Sequence, residues 1–108
     1  MFGKLGQLAD LMKNAQTMQE NMKKVKAELA SLELSGKSAD GQVEVWATGE
    51  MNVTRMKIQP SLIESGDAAA VEKAVTDAVN TALYLVKIEA ARRFSDATGG
   101  MKLPDGLA

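Results

Sequence analysis

Leu8, Leu11, Ala15, Met18, Met22, Val25, Leu29 and Leu32 follow one another at alternating steps of three and four residues. A repeat of about 3.5 residues keeps one narrow stripe of a helix facing a partner, the a/d seam of a coiled coil. Leu5 and Met12 lie beside the seam and widen it near its start. From Leu8 to Leu32 there is no Pro, no Gly and little β-branching. Gly3 and Gly6 are poor helix formers, so the helix is expected to begin near Lys4 to Leu8 and to span residues 4–32. The seam alone is roughly 37 Å long at about 1.5 Å per residue, whereas a compact domain of this size has a radius of gyration of about 13 Å. The helix is therefore expected to outrun its own domain, with a second copy of the chain as the simplest cover.

Period two replaces that spacing over residues 33–59. Leu32 to Gly36 reads as a short strand, and Asp40-Gly41 as a tight hairpin turn, since Gly accepts positive φ. Gln42 to Thr48 alternates, with Val43, Val45 and Ala47 on one side and Gln42, Glu44, Trp46 and Thr48 on the other. Gly49-Glu50 turns the chain into a third strand, Met51 to Gln59, with Met56 and Ile58 on the core face and Arg55 and Lys57 outward. Pro60 ends it. Adjacent strands with tight connections predict an antiparallel meander with one apolar face in need of a helix. Trp46 falls on the outward face. Cover for a sheet edge or a neighbouring subunit explains it more simply than base stacking, because one aromatic beside Glu44 falls short of the platform single-strand binders use.

Ser61 to Gly66 reads as a loop, and Asp67 as the N-cap of a second long helix over 67–97. Val71, Val75, Ala78, Ala82 and Leu85 form its main stripe, broadened by Val79, Leu83, Val86, Ala90 and Phe94. Ala74, Ala78 and Ala82 make a small-residue spine that lets the helix approach a sheet or its twin closely. Gly99-Gly100 ends it, and residues 98–108 form a tail expected to be extended. The reading is one α+β domain over residues 1–108: a long N-terminal helix, a three-stranded antiparallel meander and a long C-terminal helix.

Composition narrows the function classes. The chain has 108 residues, 45% of them hydrophobic, which excludes wholesale disorder. No apolar run approaches the roughly 20 residues of a membrane span, and Met1 to Gly6 lacks the apolar core of a signal peptide. Without cysteine or export signal the chain reads as cytoplasmic. The lack of His and Cys removes thiolate and imidazole ligands and the usual general base, so no catalysis, metal, cofactor or small-molecule substrate is expected. Asp67, Glu72 and Asp77 lie on a cap and a solvated face, and no glycine-rich phosphate loop is present. Packing explains the methionines of the seam and of the third strand more simply than a metal site does.

Net charge is −1, so binding to nucleic acid would have to come from a local concentration of cations. Leu11 to Ala27 supplies one: Lys13, Lys23, Lys24 and Lys26 against Glu20 alone. With Asn14, Gln16, Thr17, Gln19 and Asn21 they make either a solvated helix surface or a phosphate-contacting face. Arg92 and Arg93 lie near the end of the second helix, where favourable interaction with the helix dipole and a nucleic-acid role are both open readings.

The opening Met1-Phe2-Gly3-Lys4 and the segment from Leu11 to Gln19 resemble the start of the YbaB/EbfC family of bacterial nucleoid-associated proteins. Gly41 to Val45, Met56 to Leu62, and Val71-Glu72 through Ala78, Asn80 and Ala82 are similar to its middle segments, and Gly100 to Gly106 to its closing signature. The matches come in order and cover nearly the whole chain. Gln59 before Pro60, Thr48-Gly49 at the second hairpin, and Trp46 depart from the family pattern. The resemblance implies an intertwined homodimer with projecting helices, DNA binding in the cytoplasm at the nucleoid, and a role in chromosome organisation or gene regulation.

The expected DNA contacts are Lys13, Lys23, Lys24 and Lys26, with Lys4, Arg92 and Arg93 as lesser contributors. The expected dimer seam is Leu8, Leu11, Met18, Met22, Val25 and Leu29. The rival reading from another class is a coiled-coil-like dimeric module that holds protein partners and does not bind DNA.

Overall fold

A computed structural model describes residues 2–99. The order is α1 (Phe2–Ser31), β1 (Glu33–Lys37), β2 (Val43–Thr48), β3 (Val53–Ile58), α2 (Pro60–Glu64) and α3 (Ala68–Ala97). The strands form one antiparallel sheet in the order β1-β2-β3, so β2 is central and the fold is the expected α+β meander between two long helices. Gly3 and Gly6 do not delay α1, which is helical from Phe2. The expected extended tail, Met101 to Ala108, lies outside the described residues.

The alternation read along β2 is the alternation found. Val43, Val45 and Ala47 are fully buried, and Ala78, Ala82 and Val86 of α3 are equally inaccessible opposite them. The small-residue spine is what brings helix and sheet together: a Cβ on Gly36 of β1 would run into the backbone of Ala82. Each fully buried Val contributes about 1.5–3 kcal/mol relative to exposure. Asp67 caps α3 by accepting from the Ala70 N–H at 3.1 Å, and Gly99, at φ +69°, closes the other end.

The first hairpin turns at Gly41, with φ +74°. Ser38, the one buried polar residue among those described, holds it by donating to Asp40 Oδ1 (2.6 Å) and accepting from the Val43 N–H (3.1 Å). Those bonds to Asp40, from Ser38 and from the Gln42 N–H, hold its carboxyl below the ordinary carboxylate range. In the second hairpin the positive φ falls on Met51 (66°), which stands in the turn and not in the strand. Gly49 is needed there because a Cβ would collide with Leu29 of α1.

Three further expectations are corrected. Ser61 to Gly66 is not all loop: Pro60 presets φ at the first helical position and Pro60–Glu64 makes one turn of helix, α2, which drives Leu62 into the core. Met56 does not reach the core. Its register opposite Val45 places it on the apolar face, but α3 covers only β1 and β2, so Met56 is 39% exposed beside an equally open Val53. Leu85 is likewise outside the core stripe, which follows Ala74, Ala78, Ala82 and Val86.

The first helix does outrun its domain. Its C-terminal part lies antiparallel to the end of α3, where Asn21 Nδ2 donates to the Ala97 carbonyl (3.2 Å) and Arg93 pairs with Glu28 (3.1 Å). Val25 and Leu29 are buried at this junction, but Leu5, Leu8, Leu11 and Met12 are each more than half exposed. The protomer is elongated, 77 × 25 × 14 Å, with a radius of gyration of 20.5 Å.

Candidate nucleic-acid interface

The lysines of α1 are set by helical periodicity into two rows. Lys13 and Lys24 are eleven positions apart, close to three turns, and share one face with Thr17. Lys23 and Lys26 lie on another face, about a third of the way round the helix. There they rim a shallow depression floored by Ala15, Met18 and Met22, with Gln19 between them. Lys4 sits near the free end of the arm. All five are exposed, and none is within ion-pair distance of a carboxylate among the described residues.

Arg92 and Arg93 are placed differently. With Lys24 they line a cleft between α1 and α3 that also holds Asn21, Val25, Glu28 and Asp96. Arg92 pairs with Glu89 and Asp96, and Arg93 with Glu89 (3.0 Å) and Glu28. Hydrogen bonds from Arg92, then Arg93, hold the Glu89 carboxyl down to about 2, and Glu89 in turn raises Arg92. Three carboxylates thus neutralise two guanidinium groups here. A phosphate reaching them competes with those partners, whereas the lysines of the arm carry their charge to solvent unmatched.

The expected seam residues divide at the same place. Leu8 and Leu11 are open, Met18 and Met22 half-buried, and Val25 and Leu29 already covered within the protomer. Two features had no signal in residue spacing: the Asn21, Glu28 and Arg93 clamp that joins the helices, and the stacking of Arg55 over Trp46, 3.9 Å from guanidinium carbon to ring centroid. The second depends on strand register, in which a bulge after Trp46 leaves Arg55 directly opposite it.

Among the described residues no cluster of His, Cys, Asp or Glu suits a metal ion, and no helix is long and apolar enough to cross a membrane. The profile of the YbaB/EbfC DNA-binding family matches residues 4–101. The fold is similar to the crystal structure of an uncharacterized protein, HP0035, from Helicobacter pylori, with a TM-score of 0.61. At 23% identity, over 85% of this chain and 90% of that one, the likeness is one of fold.

Proposed function

This chain belongs to the YbaB/EbfC family of DNA-binding, nucleoid-associated proteins, and from that premise we propose that it is a non-catalytic homodimer that holds duplex DNA by its phosphate backbone through the lysines of α1. The observation that supports this most directly is the arm of α1, whose apolar side chains are exposed and whose lysines are in no ion pair among the described residues. Burial of Leu8 and Leu11 against a second copy contributes about 1.5–3 kcal/mol per side chain, and the seam continues through Met18 and Met22 to the covered Val25 and Leu29. Dimerisation doubles the set Lys13, Lys23, Lys24 and Lys26, with Lys4, Arg92 and Arg93 at its margins.

Phosphate contacts supply affinity without reading bases, so binding depends steeply on salt and preference follows duplex shape. The cytoplasm and its nucleoid are the corresponding location. The test is fluorescence anisotropy with a duplex at several salt concentrations. Saturable binding whose affinity falls steeply with salt supports the proposal; no binding at low salt, with a specific protein co-purifying, moves the assignment to a dimeric protein-interaction module. The exposed apolar arm is what favours that second reading.

A further inference from the structure

The sheet has a second face, separate from the α1 lysines to which duplex binding is assigned above. α3 packs on the side of Val43, Val45 and Ala47, while Lys37, Arg55 and Lys57 on the other side are exposed. Cross-strand pairing arranges that open side in rows. Lys37, Glu44 and Lys57 are abreast, and next to them Ser35, Trp46 and Arg55. The two carboxylates are engaged by hydroxyls: Ser35 donates to Glu44 (3.0 Å) and Thr54 to Glu33 (2.9 Å). Lys37, Arg55 and Lys57 are exposed and in no ion pair among the described residues. Trp46 is half-buried, and the guanidinium of the exposed Arg55 lies over its ring.

We propose that this face is a binding site for single-stranded polynucleotide, in which an unpaired base stacks on the Arg55–Trp46 pair and adjoining phosphates meet Lys57 and Lys37. Trp46 considered alone lacked a basic neighbour; register supplies it. A guanidinium held by cation–π attraction is a preset flat surface for a base, and its edge N–H groups remain free for a phosphate or a base edge. Stacking of this kind tolerates any base, so little sequence preference is expected. Duplex DNA, whose bases are already stacked, does not fit the site. The face and the arm are separate surfaces, and each can fail without the other.

Trp46 is the only tryptophan, so its emission reports the site directly. Intact protein at low salt is titrated with oligothymidylate and, in parallel, oligouridylate and a duplex. The expected result is saturable quenching by one or both single strands and little by duplex. Arg55→Gln should weaken single-strand affinity about five- to tenfold while leaving duplex affinity unchanged and the protein cooperatively folded, with thermal unfolding lowered only by the loss of one exposed cation–π contact. The Lys13, Lys23 and Lys24 to Gln triple variant should keep the quenching. No quenching at low salt, or quenching untouched by Arg55→Gln, overturns the proposal. So does Trp46 emission that shifts on simple dilution of the protein, which would put a second copy on this face.

Discussion

Gly36 and Ala82 are in backbone-to-backbone contact: no side chain, not even a methyl, fits on β1 at this point without moving α3. The neighbouring atoms belong to the main chain of a helix, which cannot swing aside as a flexible side chain can. Gly36→Ala should destabilise the protein by about 1–3 kcal/mol, the usual cost of overpacking a tight core. Denaturant unfolding measures this, and an unchanged midpoint would mean that helix and sheet are not so closely seated.

Leu11 is 65% exposed in the protomer, so replacing it should not disturb the fold of a single copy. Leu11→Asp is expected to give folded monomer or insoluble chain, because a charge in a buried seam is left unpaired or forces the seam apart. Sedimentation velocity decides; a soluble dimer of unchanged affinity removes Leu11 from the interface.

Lys13, Lys23 and Lys24 changed together to Gln should weaken duplex binding and flatten its salt dependence, by roughly 0.9 in the log–log slope for each phosphate no longer neutralised. Arg92→Gln should do much less, since Glu89 and Asp96 already neutralise that side chain. Anisotropy titrations compare the two. Equal weakening by both would move the phosphate-binding surface from the arm to the cleft.

Glu89 is held down to about 2 by hydrogen bonds from Arg92 and Arg93. Its ordinary value in an unfolded chain is near 4.5, so the stabilisation is complete above that pH and is lost as pH falls toward 2. These pairs are partly exposed and screened, so the effect is modest and decreases with salt. Acid unfolding of Glu89→Gln should lack this component between about pH 4.5 and 2. An unaltered acid profile would show that the pairs contribute nothing.

Asp67→Ala should cost about 1 kcal/mol by removing the acceptor for the Ala70 N–H, and Asp67→Asn should recover most of it. Thermal unfolding of both variants measures the cap.

Much of the fold was legible because two periods do not mix: Val43, Val45 and Ala47 read as a buried strand face, and Ala74, Ala78 and Ala82 as a close-packing spine. Coverage was not legible. Met56 has the right parity for the core, yet α3 stops at β2, and nothing local to Met56 records the width of a helix two elements away. Leu85 fails for a related reason, since the buried stripe follows the alanine spine that meets Gly36. The lysines were legible as charges, and their two rows follow from helical periodicity, but the cleft that Lys24 shares with Arg92 and Arg93 was not, since it depends on where Asn21 and Glu28 dock on α3.

β3 lies at the rim of the sheet, and among the described residues no strand pairs beyond it and Val53 and Met56 are left exposed. A bare rim of this kind invites further strands, and unchecked addition builds filaments. Arg55 and Lys57 set cations along it at alternate positions, so each added strand would bring like charges alongside. Cations on an edge strand oppose such addition, and the two that do so here are those proposed above to meet a strand of nucleic acid.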